Sequence, residues 1–192
     1  VEFALAMLPK TEPARVLDLG VGSGAILLAI LAERDLASGV GLDVSSDAIA
    51  VAEGNAAALK LANRAQFHHG DWATVFREQF DLVLSNPPYI PTADIDTLAP
   101  EVAQHEPRLA LDGGPDGLDA YRAIVPRFAD LVKPGGAFAL EVGVGQATAV
   151  EGFIAAAGFE VLPSKTDLGG IVRVVAGRRA PEIILGSGAV TH

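Results

Sequence analysis

The stretch that decides the fold reads VLDLGVGSGA and runs from Val16 to Ala25. It begins with apolar residues that favour a strand, continues with three glycines, and leads into an apolar run that ends near Arg34. This order is typical of a strand that turns sharply into a helix, because glycine accepts the positive φ that such a turn requires. We therefore predict a glycine loop at a helix N-terminus, where backbone N–H groups face a ligand.

The pattern beyond this stretch predicts an α/β fold. Between about Arg15 and Ala176, short β-favouring runs alternate with longer runs rich in alanine and leucine, as in βα units around a parallel sheet. The predicted strands are Arg15–Asp18, Gly39–Asp43, Ala65–His69, Phe80–Ser85, Ala137–Val142, Phe159–Leu162 and Ile171–Ala176. The predicted helices are Val1–Leu8, Ala25–Arg34, Asp47–Leu61, Leu118–Leu131 and Gln146–Ala157. We also predict that Ser46 caps the third helix, that Lys133–Gly136 ends the fourth, and that no strand contains a proline.

Length and composition indicate one globular domain. The chain has 192 residues, 50% of them hydrophobic and 20% charged, which is enough to bury a core. We assign residues 1–176 to the domain and residues 177–192 to a C-terminal tail without an assigned function. The segment Asn86–Gly117 carries six prolines and little periodicity, and a loop of that length inside a domain is usually functional.

Charge and residue usage exclude several classes of function. A net charge of −10 argues against direct nucleic-acid binding through bulk charge. The chain has no cysteine, which excludes disulfides and thiolate nucleophiles, and no two of its four histidines stand four residues apart, so we expect no metal site. The longest apolar run, Ala25–Ala32, is too short to span a membrane, so we expect no membrane association and a cytoplasmic location.

Two acidic residues beside the glycine loop narrow the choice of ligand. Asp43 lies 19 residues after Gly24 at the end of the next predicted strand, where a carboxylate can accept hydrogen bonds from both hydroxyls of a ribose. Gly20, Gly22 and Gly24 match the S-adenosylmethionine (SAM) pattern, but the loop also satisfies the dinucleotide fingerprint. Asp18 favours SAM, because a carboxylate suits the ammonium of a methionine moiety and not a pyrophosphate. A tight turn that binds no ligand remains an alternative.

The third predicted strand is followed by a further candidate pair, Asp71 and Trp72. A carboxylate at this position could meet the amino group of an adenine. Alone, however, the preceding Gly70 and Asp71 are also ordinary turn residues, so the pair is a weak signal.

The fourth predicted strand runs into Asn86-Pro87-Pro88-Tyr89. The two prolines fix φ and remove two backbone donors, so nearby carbonyls are left to accept hydrogen bonds from another group. An NH2 group is a suitable partner, because Asn86 Oδ1 and the Pro87 carbonyl are two acceptors and Tyr89 can form a wall. A rigid turn at the end of the strand is the simpler alternative.

Three segments together resemble a known family. They are NPPY at 86–89, HEPRLALDGGPDGLDAYR at 105–122 and EVGVGQ at 141–146. With the glycine loop, they are similar to the HemK-type release-factor glutamine methyltransferases, and the resemblance covers nearly all of residues 1–176. It implies a Rossmann-like class I methyltransferase fold with a seven-stranded, mostly parallel sheet whose last strand is antiparallel. It also implies N5-methylation, by SAM, of the glutamine amide in the Gly-Gly-Gln motif of peptide-chain release factors.

The resemblance also implies roles for individual residues. The cofactor would be held by Asp18, Gly20, Gly22, Gly24, Asp43, Asp71, Trp72 and Asn86, and the substrate amide by Asn86, Pro87 and Tyr89. Glu106 and Pro107 would order the loop. Family members carry an N-terminal helical domain and a linking hairpin, and we expect this chain to correspond to the catalytic domain that follows them.

Other functions fit the same residues. The acceptor could be a glutamine of a ribosomal protein or an exocyclic amino group in nucleic acid, and the chain could be a SAM-binding scaffold without activity. His105 is an alternative general base, although direct displacement needs no strong base because the nitrogen becomes acidic once it is alkylated.

Overall fold

The computed structural model describes residues 1–72, 74, 76–97 and 108–182. One seven-stranded sheet runs through these residues in the order β3-β2-β1-β4-β5-β7-β6. The strands are β1 Ala14–Leu19, β2 Ala37–Asp43, β3 Ala65–His69, β4 Phe80–Ser85, β5 Val132–Glu141, β6 Glu160–Thr166 and β7 Val172–Arg178. β1 to β5 pair in parallel, and β7 is antiparallel to both β5 and β6. The predicted fold class is therefore confirmed.

Helices cover both faces of the sheet. In the described residues they are α1 Glu2–Met7, α2 Ala25–Glu33, α3 Ser46–Ala58, α4 Arg108–Leu111, α5 Asp119–Ile124, α6 Phe128–Leu131 and α7 Ala147–Ala156, with 3-10 turns at Thr92–Thr97 and Val125–Arg127. Two apolar clusters, one around Phe138 and Tyr121 and one around Leu27 and Leu82, form the core. No helix in the described ranges is long and apolar enough to cross a bilayer.

Strand order and register bring the ends of three strands together. The chain places β2 on one side of β1 and β4 on the other, so the sheet changes its winding direction at β1, and ligands of open α/β sheets bind at such a point. Leu19 at the end of β1 pairs with Leu42 of β2 and with Ser85 of β4. The residues that follow, Gly20, Asp43 and Asn86, therefore leave the sheet at one shared edge.

Two predictions about helices were wrong. The predicted helix Leu118–Leu131 is divided by the 3-10 turn, because Pro126 has no N–H to donate to the preceding turn. The α3 cap is Ser45, not Ser46, since the Ser45 hydroxyl accepts a hydrogen bond from the Ala48 N–H at 3.2 Å.

Prolines also lie inside two strands, contrary to our prediction. Lys133–Gly136 belongs to β5, where the pairing with β4 jumps from Val132 to Ala137 and accommodates Pro134. Pro163 lies in β6, an edge strand, where a missing donor is tolerated.

The proline-rich loop is more structured than its sequence indicates. After Tyr89, the Ile90 N–H donates to the Leu111 carbonyl and the Gly113 N–H donates to the Ile90 carbonyl. Ile90 thus pairs with Asp112 as an isolated bridge. His105, Glu106 and Pro107 lie outside the described residues, as does the tail beyond residue 182.

Candidate active site at the carboxyl edge of the sheet

The glycine loop is attached to the end of β2 by hydrogen bonds. The N–H groups of Gly20 and Val21 donate to the Leu42 carbonyl at 2.8 and 2.9 Å. Each oxygen of Asp43 also accepts one backbone N–H, from Gly22 at 2.8 Å and from Ser45 at 2.9 Å. Asp43 therefore joins the loop to the end of β2 and the start of α3, and its position is set before any ligand binds.

Gly24 shows why the last glycine of the loop is required. It caps α2 in a left-handed conformation with φ +81°. A Cβ there would lie 3.1 Å from Leu28 Cδ1 and 3.3 Å from Ala52 Cβ, so α2 and α3 leave little room for a side chain.

Asp18 is a buried carboxyl group with an incomplete set of hydrogen bonds. Its side chain is 1% exposed, and its Oδ1 has no hydrogen-bond partner among the described residues. Burial raises the pKa of Asp18 to about 7; a backbone hydrogen bond from Leu27 opposes this shift and the nearby charge of Asp43 adds to it. A buried oxygen without a donor is costly to keep, and such groups concentrate at functional sites.

Asp71 and Trp72 lie beside the same loop. The Gly70 N–H donates to the Asp43 carbonyl at 2.9 Å, which places Asp71 and Trp72 next to the end of β2. The half-buried Trp72 ring reaches the glycine loop, since a Cβ on Gly20 would lie 3.3 Å from its Cη2 atom. Asp71 is exposed.

Asn86 and Pro87 occupy the end of β4 on the other side of β1. Asn86 is exposed, whereas Pro87 is buried. The preceding Ser85 is held in place, because its hydroxyl donates to the Leu19 carbonyl at 2.6 Å. Since Leu19 directly precedes the glycine loop, Asn86 begins one strand spacing, about 5 Å, from the end of β1.

Tyr89 is surrounded by groups whose roles are not evident from the sequence motifs. Its hydroxyl lies 3.5 Å from Glu141 Oε1, a distance at the limit for a hydrogen bond. Its carbonyl accepts a hydrogen bond from Gln146 Nε2 at 2.9 Å. The buried Tyr121 hydroxyl donates to the Glu141 carbonyl at 2.9 Å. Glu141 and Gln146 were part of the motif EVGVGQ, but the motif alone does not show that they contact Tyr89.

Burial changes the proton affinity of two of these groups. It raises the pKa of the half-buried Glu141 carboxyl above its usual range, and the nearby Tyr89 hydroxyl opposes that shift. It also raises the pKa of Tyr121, which therefore remains a hydrogen-bond donor at neutral pH. A cavity of about 490 Å³ opens beside Tyr89, with Asp94, Asp116 and Arg173 among its lining residues.

The structure places the proposed cofactor residues around the glycine loop and Asn86 at the neighbouring strand end, whereas Tyr89 contacts Glu141 and Gln146. Those at the end of β1 and β2 lie around the glycine loop, and those after β4 lie across β1 from Asp43. No group of three or more acidic or histidine residues in the described part of the chain could hold a metal ion.

Solved structures with the same fold include methyltransferases. A methyltransferase from Pyrococcus furiosus superposes with a TM-score of 0.68 at 14% identity, covering 93% of this chain and 81% of that one. The ribosomal protein L11 methylase of Lactobacillus delbrueckii gives a TM-score of 0.67 at 18% identity, covering 93% and 76%. The sheet therefore has the Rossmann-like α/β fold that these structures share.

Sequence comparison specifies the family. The methyltransferase small domain model matches residues 2–113, and the chain belongs to that family. The release factor glutamine methyltransferase of Caulobacter vibrioides is 55% identical over 182 residues, which cover 94% of this chain and 63% of that protein. The enzyme of the same name from Bradyrhizobium diazoefficiens is 49% identical over 185 residues, which cover 94% of this chain and 62% of that protein. The resemblance predicted from the motifs is confirmed, and the chain spans less than two thirds of these relatives.

Proposed function

We propose that the chain binds SAM and methylates the side-chain amide nitrogen of the glutamine in the Gly-Gly-Gln motif of peptide-chain release factors. The observation that carries this proposal is the position of Asn86–Tyr89, one strand away from the glycine loop, at the sheet edge where Asp18 and Asp43 also lie. The names of the relatives that match most of the chain support the same substrate.

The residues around the glycine loop fit SAM. When bound, SAM would supply a methyl carbon that a nucleophile can attack without a metal, because the carbon–sulfur bond breaks and neutral S-adenosylhomocysteine leaves. Asp18 Oδ1 is a buried acceptor with no hydrogen-bond partner in the described part of the chain, and we assign it to the ammonium group of the methionine moiety. Asp43 oxygens have further lone pairs for the ribose hydroxyls, and we assign Asp71 and Trp72 to the adenine.

Asn86, Pro87 and Tyr89 are proposed to hold the substrate amide. An amide nitrogen is a poor nucleophile because its lone pair is delocalised into the carbonyl. Asn86 Oδ1 and the Pro87 carbonyl would each accept one N–H, which fixes the amide plane so that the nitrogen lone pair, perpendicular to that plane, faces the methyl donor. Tyr89 would form a wall against the opposite face of the amide. Such positioning can contribute roughly 7–11 kcal/mol in well-oriented reactions, so a strong base is not needed.

The surface beside Tyr89 favours a protein substrate over nucleic acid. Among the described residues that line the cavity, Arg173 is the only cation, and its guanidinium pairs with Asp167 at 2.9 Å. Asp94 and Asp116 add negative charge to the same lining. A nucleic-acid backbone needs a row of available cations, which this lining does not offer.

Transfer of labelled methyl groups tests the proposed substrate. The chain is incubated with methyl-labelled SAM and, in separate reactions, with a release factor, with the same factor carrying alanine in place of the Gly-Gly-Gln glutamine, and with RNA. We expect label only in the unaltered release factor. Label in the alanine variant or in RNA would contradict the proposed substrate.

Calorimetry tests the choice of cofactor. We expect SAM and S-adenosylhomocysteine to bind with micromolar affinity, roughly −8 kcal/mol, and NAD not to bind measurably. Tighter binding of NAD than of SAM would exclude the methyltransferase assignment.

Asp43→Ala is expected to weaken SAM binding by about 1–3 kcal/mol, because two ribose hydroxyls lose their acceptor. The Gly22 and Ser45 N–H groups also lose the carboxylate that accepts their hydrogen bonds, so the glycine loop is held less firmly. Asp43→Asn keeps one acceptor oxygen and should give an intermediate dissociation constant. If calorimetry gave the same SAM affinity for both variants and the unaltered protein, Asp43 would not be a SAM-binding residue.

A further inference from the structure

The side chain of Gln146 connects three loops at the candidate active site. Its Nε2 donates to the Tyr89 carbonyl at 2.9 Å and to the Gly117 carbonyl at 3.2 Å. Its Oε1 accepts the Gly143 N–H at 3.0 Å. One half-buried amide thus joins the segment after β4, the loop before α5 and the turn after β5.

The packing around this side chain leaves little freedom. Gly117 and Gly143 are buried, and a Cβ on Gly117 would lie 2.5 Å from Gln146 Nε2. Gly117 also has φ +75°, a conformation that residues with side chains rarely adopt. Because these two glycines have no side chain, their backbones approach the Gln146 amide closely. Its Nε2 and its Oε1 can therefore both form hydrogen bonds.

The contact between Gln146 and Tyr89 also restricts the segment Asn86–Tyr89, which is proposed to bind the substrate amide. Ser85, at the other end of the Asn86–Tyr89 segment, is fixed by its bond to Leu19. Between Ser85 and Tyr89, the two prolines have fixed φ values. A stiff segment held at both ends has few ways to move, so the contact of Gln146 with the Tyr89 carbonyl restricts Asn86 and Pro87 as well.

We propose that Gln146 is a positioning residue that holds Asn86–Tyr89 in the orientation needed to bind the acceptor amide, an inference that rests on the proposed function. Gln146 acts through the backbone of Tyr89. The NH2 group of Gln146 holds the segment, because Nε2 is the atom that donates to the Tyr89 carbonyl.

The substitution Gln146→Glu separates the two halves of the side chain. A carboxylate of the same shape can still accept the Gly143 N–H, but it cannot donate to Tyr89 or Gly117 and repels both carbonyls. We expect kcat to fall by about 10- to 100-fold, as for a displacement of about 1 Å, with little change in the SAM dissociation constant. Gln79→Glu is the matched control, because Gln79 also donates to a backbone carbonyl, that of Asp130, at the opposite end of β4.

Amide hydrogen exchange provides a readout that does not depend on activity. In Gln146→Glu we expect faster exchange at the N–H groups of Ile90 and Gly113, which follow and flank Tyr89, and unchanged exchange at Gly143. Gln146→Ala should increase exchange at the N–H groups of Ile90, Gly113 and Gly143. Gln79→Glu should change exchange at none of these groups.

The outcomes separate this proposal from the proposed function. Unchanged exchange at Ile90 and Gly113 in Gln146→Glu, or a kcat equal to that of Gln79→Glu, would overturn the positioning role alone. A parallel loss of SAM affinity and thermal stability would also overturn it, since Gln146 would then be a general structural residue. Absence of glutamine methylation by the unaltered protein would instead overturn the proposed function.

Discussion

Replacing Asn86 with alanine is expected to lower kcat on the order of 10²- to 10³-fold, or about 3–4 kcal/mol of transition-state stabilisation. The substitution removes one of two acceptors for the substrate N–H groups. Asn86 is exposed and makes no hydrogen bond through its side chain to any other described residue, so the fold should not weaken. Single-turnover rates with saturating SAM and a release factor measure the effect.

Two further variants make the Asn86 result specific. Asn86→Asp keeps an acceptor oxygen but loses the NH2 donor that could hold the substrate carbonyl, so we expect an intermediate rate. Asn63→Ala removes an exposed asparagine at the opposite edge of the sheet and should behave like the unaltered protein. If Asn86→Ala abolished SAM binding, or left kcat within about threefold, Asn86 would be a turn residue without a role in orienting the amide.

Asp18→Asn is expected to weaken SAM binding and, in the same protein, to stabilise the unliganded fold. The buried carboxylate of Asp18 is the proposed partner of the SAM ammonium, and a neutral amide offers weaker attraction. Without a ligand, the charge has no such partner and burial disfavours it. Thermal or urea unfolding measures the second effect and calorimetry the first.

The sign and size of the stability effect follow from the pKa of Asp18. Its value in the fold is about 7, against an ordinary value of 3.8. Folding therefore favours the protonated form, and the protein loses stability as the pH rises from about 4 to about 7. At about 1.4 kcal/mol per pH unit, Asp18→Asn should raise the free energy of unfolding at pH 8 by at most about 4 kcal/mol. Near pH 4 the difference should vanish.

SAM binding should have the opposite pH dependence. The ammonium pairs with the ionised carboxylate, so the affinity of the unaltered protein should fall about fivefold between pH 7 and pH 6 as Asp18 takes up a proton. Asp18→Asn should lose that dependence. Asp35→Asn, which removes an exposed carboxylate away from the site, should retain it. A pH-independent affinity in the unaltered protein would exclude pairing through an ionised Asp18.

The fold could be predicted from the sequence because its signals are local. Each strand is a short apolar run, and the glycine loop is recognisable within ten residues. The errors arose where tertiary contacts decide the outcome. For example, β5 begins at Val132 and not at Ala137, because residues on both sides of Pro134 find partners in neighbouring strands.

In the candidate active site, too, the features with local signals could be predicted and those that depend on tertiary contacts could not. The proximity of the acidic residues near the ends of β1 and β2 could be predicted, because strand ends in a parallel sheet share an edge. The contact between Gln146 and the Tyr89 carbonyl joins residues 57 positions apart and depends on how two loops pack. No local pattern specifies such a contact, so the motif EVGVGQ indicated a family without indicating what its glutamine does.

The position of Trp72 also has a practical use. It is the only tryptophan in the chain, and its ring lies against the glycine loop within reach of Gly20. Its intrinsic fluorescence therefore comes from one place, the wall that we assign to the adenine. Stacking of a nucleobase on an indole changes its emission, so occupancy of the site and the kinetics of ligand entry can be followed optically without attaching a dye.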